Sequence, residues 1–237
     1  VQELSSTHVV LSLDGVAAWS VARELFGTEV LGLPYLSIEM YPFAGEQLRL
    51  FRGGKTSEFG YLLMVSIDHA PALFAQLLEQ VGKVGGGLCG SAIHHELRLE
   101  GRFFNIFAEG LAVGDPLALG LQWMIDFDKE SFGGRDAIVA RREQGLSHKI
   151  VGVAAAPGND SLTVGSALYD DGQQVATVVA VCFSDVLNCR IALALFCAEL
   201  AYTGLEFSLD GPAGVKVSTI SMPPIIPKSL GVKLDEM

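Results

Sequence analysis

Apolar positions along the first third of the chain switch between two periods. His8-Val9-Val10-Leu11-Ser12-Leu13 alternates and predicts a strand, stopped by the turn pair Asp14-Gly15, after which Val16 to Phe26 has helical spacing. Leu36 to Phe43, Gln47 to Phe51 and Tyr61 to Ile67 read as further strands. Ala44-Gly45-Glu46 and the turn at Gly53-Gly54 separate them, so this stretch predicts an antiparallel sheet. His69 to Val81 puts Leu73, Leu77, Leu78 and Val81 on one stripe, with Pro71 in the tolerant first turn and Gly82 as the stop. An amphipathic helix covering the sheet follows. Ser91 to Glu100 predicts a second helix with Ile93 and Leu97 inward and with charge along its length at Glu96, Arg98 and Glu100.

The rhythm changes after the polar stretch Arg141 to His148. Short strand-like runs recur at Ile150 to Ala154, Val175 to Val181, Arg190 to Phe196, Glu206 to Leu209 and Val215 to Ile220, which predicts a small β-barrel or sandwich. The expected organisation is an α+β domain over residues 1–145 and a β domain over residues 146–237.

Composition narrows the partners. In 237 residues, half of them apolar, there is enough material for a sizeable core. Sixteen basic against 27 acidic residues give a net charge of −11, which repels phosphate backbones and anionic lipid, so no nucleic acid and no membrane are expected as partners. Cys89, Cys182, Cys189 and Cys197 form no C-x-x-C pair and have no histidine at zinc-finger spacing. We expect buried free thiols in a reducing cytosol and no metal site. No apolar run reaches the roughly 20 residues of a membrane span. Val1-Gln2-Glu3-Leu4 shows neither a basic region nor an apolar one of a signal peptide, and a cytoplasmic location is expected.

Common catalytic signatures are missing: there is no G-x-S-x-G elbow, no H-E-x-x-H, no Walker loop and no G-x-G-x-x-G opening a helix. Gly85-Gly86-Gly87 lacks a strand-loop-helix setting and reads as a flexible connection. Adjacent His94 and His95 diverge by about 100° on a helix. Either one facing a pocket could move a proton or contact a substrate. The stretch Arg52-Gly53-Gly54-Lys55-Thr56-Ser57-Glu58-Phe59-Gly60-Tyr61 packs charge, small residues and aromatics between two strands, and by composition alone it is a hairpin loop.

That stretch resembles the R-x-G-Y-T-G-E-x-G-[FY] segment of the glycine-cleavage T-protein family, whose glutamate holds the pterin ring of folate. Glu58 occupies the matching position. Further blocks follow in the same order. Glu96-Leu97-Arg98-Leu99-Glu100-Gly101 resembles the D-x-L-R-L-E-A-G helix, and Gly120-Leu121-Gln122-Trp123 the G-L-x-W strand. Residues 127–138 resemble K-x-x-F-I-G-[RK]-x-A-L, Lys149-Ile150-Val151-Gly152-Val153 the K-L-V-G-L strand, and Ser221 to Pro227 the closing M-P-F-V-P. The likeness spans about residues 10 to 230.

What the resemblance implies is an incomplete folate-binding α+β domain followed by a C-terminal β-barrel, with tetrahydrofolate as cofactor. Glu58 would accept two parallel hydrogen bonds from the aminopyrimidinone edge. Arg52, Tyr61 and Trp123 are the other candidates for contact with the cofactor, the aromatic rings by stacking. The family's first segment, with the aspartate that contacts the reacting folate nitrogen, would precede Val1, and a second polypeptide supplying it is an expected partner.

Three departures stand out. His94 replaces the arginine before the helix motif and His95 its aspartate, while Ser57 replaces the glycine before the key glutamate. His94 is therefore the candidate catalytic proton relay and His95 the candidate substrate contact. The expected activity is demethylase-like: a tetrahydrofolate-dependent transfer of a methyl group from a small-molecule one-carbon donor. The alternatives are a glycine-cleavage aminomethyltransferase, a non-catalytic folate-binding subunit, or a pterin slot turned to another flat heteroaromatic. A branch of the fold serving iron–sulfur cluster maintenance carries a cysteine where this chain has Ser131, which supplies no thiolate.

Overall fold

The fold is that of a computed structural model, which describes residues 2–211 and 213–233. The chain forms two compact units, one built from residues up to Gly101 together with those from Ile225 onward, the other from Arg102 to Pro224.

In the first unit, strands β1 (His8–Asp14), β2 (Ile38–Phe43), β3 (Glu46–Arg52) and β4 (Gly60–Ser66) form an antiparallel sheet in the order β1-β4-β3-β2. Helices α1 (Ala18–Phe26), α2 (Ala70–Lys83) and α3 (Ser91–Glu100) complete it. Register follows the alternation: Leu11 opposes Leu63, Leu13 opposes Tyr61 and Leu50 opposes Leu63 on one face. That face forms a core with Val21 and Ala22 of α1 and Leu73 and Leu77 of α2. Each fully buried leucine contributes about 1.5–3 kcal/mol by leaving water, which is what fixes the strands in this register. On the opposite face Val10 opposes Met64 and Ile38 opposes Phe51, and Val10, Ile38 and Met40 are exposed.

Two expectations change here. Helix α3 buries Leu99 with Arg98 and Glu100, while Ile93 and Leu97 face solvent. The reason is that its C-terminal end docks on the unit, where Ser57 Oγ donates to the carbonyl of Gly101 at 3.1 Å. Of the four free cysteines, Cys182 and Cys189 are buried as expected, but Cys89 is exposed and Cys197 half-buried. Cys89 lies between α2 and α3 in a glycine-rich connection that has no core to enter.

The second unit is dominated by a closed barrel of β5 (His148–Ala155), β6 (Ala167–Asp170), β7 (Gln173–Ser184), β8 (Cys189–Cys197), β9 (Glu206–Leu209) and β10 (Lys216–Ile220), in the order β10-β5-β8-β7-β6-β9. Val153, Leu168, Val178, Phe196 and Phe207 are among the side chains filling it. The short strand β6, pinned between Gly165 and the Asp171-Gly172 turn, has too few alternating positions to be read from the sequence. Residues 102–145 belong with the barrel rather than with the sheet. They contain the short α4 (Leu111–Val113) and α5 (Arg135–Gln144), and the N–H of Ile150 in β5 donates to the carbonyl of Ala118 at 2.9 Å. Barrel strands thus begin near the expected boundary at 146, while the compact unit begins at Arg102.

Asp115 anchors that segment. Its Oδ1 accepts from the N–H groups of Leu117 (2.8 Å) and Ala118 (3.3 Å), and its Oδ2 accepts from Arg141 Nε of α5 at 2.7 Å. Burial alone would raise its carboxyl, but Arg141 and the two backbone donors outweigh this and hold it below the ordinary carboxylate value. A carboxyl depressed in the folded state stabilises the fold above its unfolded pKa, and that contribution is lost as pH falls through the folded value. Asp115→Asn should therefore cost about 1 kcal/mol in denaturant unfolding at pH 7, and the difference from the native chain should shrink towards zero in acid. Equal stability of the two at pH 7 would contradict this role.

Candidate functional site

Strands β3 and β4 are joined by the loop that carries Glu58, and two glycines decide its shape. Gly53 N–H donates to the carbonyl of Gly60 at 2.9 Å, and Gly15 N–H to the carbonyl of Phe59 at 2.9 Å, which ties the loop to the end of β1. Gly54 and Gly60 lie back to back: a Cβ on Gly54 would sit 2.9 Å from Gly60 Cα, and one on Gly60 would overlap the backbone of Gly54. Only residues without side chains permit that approach. The pinched base then throws residues 55–59 outward. Ser57 turns the loop at φ 64°, a left-handed conformation that costs a non-glycine residue roughly 1 kcal/mol. Its hydrogen bond to Gly101 offsets part of this.

Next to Ser57, the Glu58 carboxylate has both oxygens engaged. Oε1 accepts from the N–H of Lys228 at 2.9 Å and Oε2 from the N–H of Ser229 at 2.8 Å, at the start of a single 3-10 turn, Lys228–Gly231. Two adjacent N–H donors, one on each oxygen, are the arrangement with which an aminopyrimidinone edge would meet a carboxylate. The residue type, its half-buried position and its donor geometry all fit a pterin.

Polar atoms around the loop base support a functional reading. Asp14 Oδ1, Arg52 Nε and Thr56 Oγ1 are buried and have no protein hydrogen-bond partner, and all three lie in or against the segment 52–60. Buried polar groups are normally paired, so three orphans together mark a place where packing alone did not set the sequence. Asp14 Oδ2 accepts from Ser12 Oγ, while Oδ1 lies against the Gly54–Gly60 crossing.

The other expected contacts are placed differently. Tyr61 is 1% exposed and belongs to the core between sheet and helices. Burial pushes its phenol up, Arg52 offsetting this only partly. Arg52 lies with its guanidinium 5.2 Å from the Tyr61 ring and 5.3 Å from that of Phe59. Both residues therefore brace the loop from the core side, because the register that makes them neighbours puts them on the helix-covered face. Trp123 is 76% exposed and lies in a 3-10 turn, Gln122–Met124, rather than in the expected strand. Its indole face in the second unit is open to stacking. His95 Nδ1 lies 2.8 Å from Arg98 Nη2 one turn along α3. Since a guanidinium only donates, this nitrogen is the acceptor in the contact. The imidazole thus helps hold the buried Arg98. His94 is half-buried on the same helix.

Sequence reasoning missed Lys228 and Ser229, because they contribute backbone N–H groups and no side-chain pattern reports that. Among the described residues no group of histidine, cysteine, aspartate or glutamate is arranged to hold a metal ion. Likewise, no helix among them is long and apolar enough to cross a membrane.

An antiparallel sheet unit with its helices and a six-stranded closed barrel make a T-protein-like fold. Comparison with known proteins agrees. The family of the GCVT N-terminal domain matches residues 1–129. An aminomethyltransferase of Synechococcus sp. (strain RCC307) is 28% identical over 211 residues, covering 89% of this chain and 57% of that protein. One of Thermotoga petrophila is 26% identical over 217 residues, covering 92% and 58%. The crystal structure of the glycine cleavage system aminomethyltransferase T from Bartonella henselae superposes with a TM-score of 0.72 at 23% identity, over 92% of this chain and 60% of that one. The chain belongs to the T-protein family that carries the GCVT N-terminal domain, and it spans somewhat over half the length of the relatives it matches.

The glycine crossing gives a direct test of the loop. Gly60→Ala should destabilise the chain by about 1–3 kcal/mol in chemical denaturation, since the new methyl group meets backbone rather than a movable side chain. An unchanged midpoint would show that the two glycines do not constrain the loop.

Proposed function

We propose that this chain is the folate-binding part of a tetrahydrofolate-dependent one-carbon transferase of the aminomethyltransferase type. The observation that carries the reading is the Glu58 carboxylate, which accepts one N–H on each oxygen at 2.9 and 2.8 Å on a loop of the family's pattern. When bound, tetrahydrofolate supplies the nitrogen that takes up the one-carbon group. Glu58 fixes the orientation of its pterin by charge-assisted hydrogen bonds, Arg52 and Tyr61 hold the loop from behind, and His94 is the proposed proton relay.

The demethylase-like expectation yields to the aminomethyltransferase alternative for two reasons. The relatives described above carry the latter name. In addition, two of the three departures from the family pattern have accounts within the fold. Ser57 keeps the left-handed turn and bonds Gly101, and His95 engages Arg98. Neither then needs a new donor molecule to explain it, which leaves His94 as the one change with no structural account.

Calorimetric titration of tetrahydrofolate into the purified chain and into Glu58→Gln tests the reading. The substitution should weaken binding by about 1.5–3 kcal/mol, roughly 10- to 150-fold. Binding seen only after adding a polypeptide with the family's first segment would make that partner part of the site. No binding in either preparation would sink the folate reading.

The proton relay is tested separately. His94→Gln should lower the one-carbon transfer rate by about 100-fold while leaving the calorimetric folate affinity within a factor of two. An unchanged rate would return His94 to a structural role.

A further inference from the structure

The contact that makes Glu58 look like a pterin holder is made by the chain itself. We propose that residues 227–231 are a built-in competitor for the Glu58 carboxylate, presenting two backbone N–H groups where a pterin would present its own, so that folate binds once this segment has lifted. The inference rests on the reading of Glu58 as the pterin-holding residue.

Three features carry it. First, the contact is tertiary rather than local: Glu58 and the two donors are 170 and 171 residues apart, so nothing in the loop's own sequence forces it. Second, it saturates the carboxylate. Each oxygen already accepts a donor at full hydrogen-bond distance, and a pterin edge needs the same two oxygens from the same direction. Segment and pterin therefore exclude each other.

Third, no residue of the segment, nor any of residues 225–232, is fully buried. Of the large apolar side chains there, Ile226 and Leu230 are exposed and Ile225 and Val232 half-buried. Ser229 Oγ adds a long 3.5 Å hydrogen bond to the carbonyl of Ser57. A segment with polar anchorage and no fully buried apolar side chain opens at low cost, as binding-site flaps do. Pro227, in an extended conformation (φ −60°, ψ 135°), leads into the turn and presets the direction in which the two N–H groups emerge. When the closed form dominates, the apparent folate affinity is the intrinsic one multiplied by the open fraction.

Lys228→Pro isolates the effect. Position 228 opens the 3-10 turn, where proline is tolerated, and the preceding Pro227 already has the extended conformation that a following proline requires. The substitution removes the N–H that Oε1 accepts and leaves the rest of the segment in place, while Lys228→Ala keeps that N–H and controls for the lost side chain. In calorimetry with tetrahydrofolate, Lys228→Pro should bind about tenfold more tightly than Lys228→Ala, and adding Glu58→Gln should abolish the gain. Independently, amide hydrogen exchange at Lys228 and Ser229 in the native chain should accelerate when tetrahydrofolate is added. This readout holds even where the proline variant folds poorly.

The inference falls if Lys228→Pro and Lys228→Ala bind alike, or if the two amides stay protected at saturating tetrahydrofolate. If Glu58→Gln weakens binding while the proline has no effect, the folate reading stands and the competitor does not. If no variant binds folate, both fall together.

Discussion

The close crossing of Gly54 and Gly60 is the constraint on which the candidate site depends. Two backbones meet where any side chain would collide, and this forces β3 and β4 to part in a narrow-necked loop rather than in a tight hairpin turn. The form of the loop that carries Glu58 follows from that neck. It aligns Arg52 beside Tyr61 below the loop, demands a left-handed residue at Ser57, and leaves Glu58 projecting from the far side. The orphaned oxygen of Asp14 presses against the same crossing, so the end of β1 is part of the device as well.

A projecting carboxylate must still be satisfied, because a half-buried charge without donors is costly. Here the donors are two consecutive backbone N–H groups of the returning C-terminal segment, one on each oxygen, and a planar heterocycle's donor edge would likewise place one donor on each. One geometry thus serves both as an intramolecular anchor and as a template for a ligand. The same economy appears in α3, where His95 engages Arg98 through a ring nitrogen. Substitutions that look like changes of specificity when aligned to a motif can be changes in how the scaffold is braced.

Family membership constrains the architecture more than the chemistry. Identities of 26–28% extend over most of this chain but only about 57–58% of the two relatives' lengths, and the likeness to the solved structure is one of fold. The carboxylate, the loop and the barrel are present here. Activity is accordingly a proposal built on Glu58, whereas the fold stands on its own register and packing.

Apolar runs bounded by turn residues located β1 to β4 and five of the six barrel strands, with alternation clearest in β1 and β7, and near-continuous burial in the middle of β5 and β8. The motif order determined Glu58, since a charged residue between glycines at a strand junction leaves a local signature. Tertiary structure decided the rest. It sent Tyr61 to the core and laid the half-buried Arg52 against its ring, because face assignment depends on which side of the sheet the helices cover. It exposed Ile93 and Leu97 and buried Arg98, because docking of the C-terminal end of α3 outweighed the helix's own apolar stripe. It also brought Lys228 and Ser229 to Glu58. Backbone N–H groups are the same in every residue but proline, so a contact made by two of them across 170 residues has no sequence from which it could be read.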